Sequence, residues 1–122
     1  MSNKNEEWRT IHMPEINEML IKLYTKFPQA FSTDEQQVKP LKMGIYEDLK
    51  VALGLKGNYQ SEAKKQKRLL REALKLYSES PTYLKKISQQ LYRIDLEGKR
   101  TEKVTEEYAK IATMMLEKFE LN

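Results

Sequence analysis

The sequence predicts an α+β domain, mainly α-helical, with about five helices and one small β-hairpin near residues 91–103. Three observations predict it. Apolar residues recur at helical spacing through most of the chain, with prolines and caps marking the ends. One stretch, residues 91–101, alternates instead and turns at Glu97-Gly98. No internal repeat, low-complexity tract or Pro/Gly-rich linker divides the 122 residues, a length suited to one compact domain.

Taken in order, residues 1–12 are expected to form a flexible N-terminus, with an isolated Trp8, and the domain is expected over 13–120. After Pro14, Ile16, Met19, Leu20, Leu23, Tyr24 and Phe27 make the apolar face of a first helix, which Pro28 stops. Residues 29–40 are polar and read as a loop. From Leu41 a second helix carries Ile45, Leu49, Ala52 and Leu53 and ends at Gly54. Beyond a turn-rich connection, Ser61 is expected to cap a long helix that runs to about Ser80. There Ser80-Pro81 supplies a cap followed by proline at the first helical position, opening a short helix to about Ser88. In the hairpin, Tyr92, Ile94 and Leu96 are expected on the buried face, with Arg93 and Asp95 on the other. Thr105 is expected to cap a last helix with Tyr108, Ile111, Met114, Met115 and Phe119 inward.

Composition removes most enzyme chemistry. Cysteine is absent, which excludes a disulfide framework, thiolate zinc sites and thiol catalysis and fits a reducing cytoplasm. The only histidine, His12, rules out paired-histidine metal sites and is assigned no chemistry. The four glycines form neither GxGxxG nor a Walker loop, and no carboxylate pair is placed for general acid/base work. No run approaches the roughly 18 apolar residues of a membrane span, and the first residues lack the apolar stretch of a signal peptide. The expectation is a cytoplasmic, non-enzymatic, monomeric protein without cofactor, metal, membrane or small-molecule substrate.

Charge carries the positive signal. Lys and Arg number 22 against 18 Asp and Glu, a net +4. Residues 61–86 hold eight basic and three acidic side chains, 8 − 3 = +5, so the remainder sums to −1. At 100° per residue, Lys64, Lys67, Arg68, Arg71 and Lys75 share an arc of about 100° on the long helix, beside its apolar stripe. Like charges at i,i+4 repel, and a face made only for solubility intersperses acids; here Glu72 alone lies close. This pattern points to a polyanion-binding surface. The start of the short helix, with Ser80 and Tyr83, offers free N–H groups to a phosphate and a ring or hydroxyl to a nucleotide, although spacing alone reads Tyr83 first as an ordinary half-buried aromatic.

Several segments resemble the ProQ/FinO family of RNA chaperones. They are Phe27-Pro-Gln-Ala-Phe31, Lys39-Pro-Leu-Lys-Met-Gly-Ile-Tyr-Glu-Asp-Leu49, Leu70-Arg-Glu-Ala-Leu-Lys-Leu-Tyr77, Tyr83-Leu84 and Arg93-Ile-Asp-Leu-Glu-Gly98. The resemblance implies a mainly helical domain with a hairpin, whose concave face binds structured RNA. The RNA expected is the base of a 3′-terminal hairpin plus its single-stranded tail, as in terminators of small RNAs and messenger 3′ ends. Carried over by position, Lys42, Lys67, Arg71 and Arg93 match RNA-contacting residues, and Tyr83, beside Ser80, matches the tyrosine of a 3′-end pocket. Arg68 and Lys75 join the set from the charge geometry alone. Thr82 stands where relatives often have arginine, and residues 54–67 look longer than usual. The sequence ends just after the last helix without the long basic extension that some members append, so the strand exchange such extensions promote is not assumed for it. Two other readings remain open: a helical adaptor that presents its basic face to an acidic protein, and a DNA-binding helical protein.

Overall fold

The computed structural model describes residues 3–121. Its elements are α1 (Lys4–Ile11), α2 (Met13–Lys26), α3 (Ile45–Ala52), α4 (Ser61–Ser78), α5 (Pro81–Ser88), β1 (Tyr92–Ile94), β2 (Arg100–Lys103) and α6 (Glu106–Leu121). The α+β class with one antiparallel hairpin is what the sequence predicts. One more helix is present than expected. Residues 4–11, placed above in a flexible N-terminus, form α1: Asn3 caps it by accepting from the Asn5 N–H at 2.9 Å. Residues 1 and 2 lie outside the described residues.

The core lies between α2 and α4 and extends to α5. Ile16, Met19 and Leu23 of α2 meet Leu69, Leu70 and Ala73 of α4, all at helical spacing. The segment between α2 and α3 is less of a surface loop than its polarity suggests. Ala30, Phe31, Val38 and Pro40 are buried, and the Ser32 N–H donates to the Tyr77 hydroxyl at 3.1 Å. The chain then runs parallel to β1, where the Ile94 N–H donates to Pro40 O and the Lys42 N–H to Ile94 O. The second helix accordingly starts at Ile45 after a left-handed Gly44, not at Leu41.

Three local expectations are corrected. Gln60, not Ser61, is the N-cap of α4, and no side chain caps it. In the hairpin, Tyr92 is exposed while Arg93 and Ile94 are both buried. A simple alternation presumes one face toward water, whereas here Leu41 borders Ile94 and the Tyr108 ring covers the Arg93 guanidinium. In α6, Tyr108, Ile111, Met114 and Phe119 are exposed, Met115 is half-buried, and the residues sealed against the core are Ala109 and Ala112. Small side chains let α6 lie close to α5, so the largest apolar residues are left outside.

Gly98 has a specific reason to be glycine. Its φ is +82°, and a Cβ there would approach the Gln29 Cβ to 3.2 Å, so the hairpin turn and the α2–α3 segment touch at backbone distance.

Candidate nucleic-acid interface

Helix α4 carries the basic face, and its five cations form no ion pair with a described residue: Lys64, Lys67, Arg68, Arg71 and Lys75 all lack a carboxylate within 4.0 Å. The acid in their midst is removed from play. Glu72 is buried, and Arg9 of α1 donates its Nε–H to the Glu72 carboxylate at 2.7 Å. Lys65, by contrast, turns toward α2 and pairs with Glu15 at 2.8 Å. His12 contacts the same carboxylate, and these partners hold the Glu15 carboxyl below the usual range.

Three of the five cations rest on aromatic rings. Lys67 Nζ sits 4.9 Å from the centre of Tyr59, the Arg68 guanidinium 4.1 Å from Trp8, and that of Arg71 5.9 Å from Tyr46. Such cation–π contacts orient long side chains while leaving their charge available. Hydrogen bonds add to the ordering: Lys67 donates to Asn58 O, Arg68 to Asn5 Oδ1 and Arg71 to the Tyr46 hydroxyl. Lys50, one turn along α3, also contacts the Tyr46 ring, its Nζ 4.8 Å from the ring centre. Between α1, α3 and α4 lies a groove of about 570 Å³ walled by Asn5, Tyr46, Arg68, Arg71 and Lys75, with the Arg9-paired Glu72 and Leu74 also lining it. Sequence reasoning missed Trp8, Tyr46 and Tyr59. Their signal was present as aromatic residues set in polar, basic surroundings, but the partners are distant in the chain.

The other expected residues do different work in this structure. Tyr83 is buried, with its ring in the core at 5.7 Å from that of Tyr77. Its hydroxyl accepts the Leu41 N–H at 2.8 Å, while Arg93 Nη1 donates to Leu41 O at 2.8 Å. The two residues therefore hold Leu41 through the peptide units on either side of its Cα and fix the backbone just before Lys42. Burial pushes the Tyr83 phenol above its ordinary pKa, an effect opposed by the Leu41 N–H and the Arg93 charge. Lys42 itself is half-exposed and paired with Asp48 at 2.8 Å, which raises its pKa. Ser80 caps α5 by accepting the Tyr83 N–H at 3.3 Å and donates to Tyr77 O. It lines a recess of about 270 Å³ with Ser32, Thr33 and Thr82, whose walls do not include Tyr83. The structure thus gathers Lys67, Arg68, Arg71 and Lys75 on one surface and sets Tyr83 and Arg93 beneath the Leu41–Lys42 segment.

Residues 13–121 match the model of the ProQ/FINO family. The chain belongs to that family. Curated ProQ/FINO relatives include the RNA chaperone ProQ of Shewanella oneidensis, 34% identical over 107 residues, covering 88% of this chain and 47% of the relative. The RNA chaperone ProQ of Aeromonas salmonicida is 36% identical over 99 residues, covering 81% and 44% respectively. The chain thus spans less than half the length of these relatives. Among solved structures, a ProQ homolog from Legionella pneumophila superposes with a TM-score of 0.64 at 36% identity, covering 84% of this chain and 81% of that one. A FinO-like RNA chaperone from Neisseria meningitidis gives 0.62 at 26% identity, covering 83% and 93%. Helix α1 lies ahead of the matched region, and its Trp8 and Arg9 reach Arg68 and Glu72 inside it.

Proposed function

We propose that this ProQ/FINO domain is an RNA-binding module of an RNA chaperone, acting in the cytoplasm as a monomer on structured RNA. The observation that carries the reading is the α4 face, with five cations that have no acid partner among the described residues, three of them braced on aromatic rings. The A-form duplex hides its base edges in a deep groove and offers phosphates and 2′-hydroxyls, so a charged, shaped surface suits it better than a base-reading one. Lys67, Arg71 and Lys75 would follow the phosphates, and the exposed edge of Tyr46 would meet the sugar or an unpaired base. The relatives named RNA chaperone ProQ support the same reading. The finer proposal is a ligand made of a 3′-terminal hairpin base and its single-stranded tail, as in small RNAs and messenger 3′ ends, with Lys42, Ser80, Tyr83 and Arg93 shaping the tail end of the site.

Arg71→Ala and Tyr46→Ala test it. Each is expected to weaken binding to an RNA hairpin by about tenfold, the order of one charge-assisted contact or one stacked base, with cooperative melting retained. Unchanged affinity in both would contradict the assignment. The adaptor reading has one observation on its side, the exposed apolar row Tyr108, Ile111, Met114 and Phe119 on α6. If that row is a protein-binding surface, Ile111→Lys abolishes capture of the partner and leaves RNA affinity intact.

A further inference from the structure

A second groove, of about 480 Å³, lies at the hairpin and shares no lining residue with the one on α4. Its walls hold Lys39, Arg100 and Lys103, and no acidic residue lines it. None of these three cations forms an ion pair with a described residue. Tyr92 stands among them, 47% exposed, with the Arg100 guanidinium 5.1 Å from its ring centre. The acids of the hairpin are engaged elsewhere: Asp95 accepts the Glu97 and Lys99 N–H groups, Glu97 pairs with Lys99, and Glu102 accepts the Met43 N–H. Gln89 and Gln90 close the groove with amides, and Gln90 adopts a left-handed φ of 55°, unusual for a side chain of its size.

We infer that this groove is a binding site for single-stranded RNA, separate from the α4 face and resting on the reading of the chain as an RNA-binding domain. An exposed aromatic ring braced by arginine provides a stacking platform for a base of any identity. Flanking cations without acids take the phosphates on either side, and amide groups can pair with base edges. An acidic peptide would use the cations but leave the exposed tyrosine and the amides unused.

The test uses two probes on the full chain: an unstructured oligouridylate of about 12 nucleotides, within the span of a single-strand groove, and a hairpin trimmed of its tails. Tyr92→Ala and Arg100→Ala are expected to weaken oligouridylate binding about tenfold and leave the trimmed hairpin bound as before, whereas Arg71→Ala does the reverse. Both hairpin residues are exposed, so neither replacement opens the core. Oligouridylate binding that ignores Tyr92 and Arg100, or that polyglutamate of equal length matches, overturns the site. So does a wild-type protein that binds the trimmed hairpin but no oligouridylate. Failure to bind the trimmed hairpin strikes the α4 reading alone, since single-strand binding that depends on Tyr92 would still stand.

Discussion

Replacing Tyr83 by phenylalanine deletes one hydroxyl and keeps the ring, which separates two roles that Tyr83→Ala would merge. Removing the whole ring from this buried position costs about 3–5 kcal/mol through the cavity it leaves, so loss of RNA binding in that variant would report unfolding. Tyr83→Phe costs about 1 kcal/mol, because the Leu41 N–H loses its acceptor. The same residue sets an alkaline limit. Burial raises the phenol pKa of Tyr83, Tyr77 and Tyr24 in the folded protein. A raised folded pKa contributes stability that is present below the ordinary tyrosine value of about 10 and is lost as pH rises through the folded value. Tyr83→Phe is therefore expected to become less sensitive to alkali above about pH 10 than the parent, read from denaturant midpoints and tyrosinate absorbance together. All seven tyrosines titrating at the ordinary value in a folded protein would contradict this. At residue scale, sequence located Lys67, Arg68, Arg71 and Lys75 correctly on one face, because helical spacing is a local property. It could not see that Tyr83 and Arg93 meet at Leu41, since 42 and 52 residues separate the partners.

The two elements that depart most from expectation are the hairpin and α6, and both depart for the same physical reason. An apolar pattern shows that a residue can be buried but not which neighbour covers it. α2, α3 and α5 were legible because proline, glycine and serine mark their ends; α1 was not, because eight residues without a buried side chain carry a weak signal. In α6 the contact with α5 runs over Ala109 and Ala112, so enlarging the contact should harm more than altering the visible apolar row. Ala112→Leu is expected to cost about 1–3 kcal/mol by overpacking, whereas Met114→Lys stays within about 0.5 kcal/mol. Urea midpoints decide between them. Equal costs would mean that the outer row is buried in solution, and the adaptor reading would gain an occupied surface. The left-handed Gly98 belongs to this scale as well, because it lets the hairpin turn rest on Gln29 and holds the α2–α3 segment beside β1.

Over the whole molecule the net charge is only +4, yet the positive excess is concentrated on α4 and the last turn of α5. Pairing sharpens that distribution: Lys42, Lys50 and Lys65 are each tied to a carboxylate, and Glu72 is neutralised by Arg9. On the proposed reading, what remains is a surface whose affinity for RNA depends on salt. With about five phosphates neutralised, log affinity is expected to fall with log salt at a slope on the order of −3 to −4. A slope near zero would remove the electrostatic basis of the interface. No helix of the described residues is long and apolar enough to cross a membrane. The most direct test compares three ligands at one near-physiological salt: an RNA hairpin with a 3′ uridine tail, the same hairpin without the tail, and DNA of matching sequence. The account predicts tight binding to the tailed RNA, weaker binding once the tail is gone, and weaker binding still to the DNA. Equal and weak binding to all three would contradict it, leaving the basic face of α4 as an unspecific electrostatic patch.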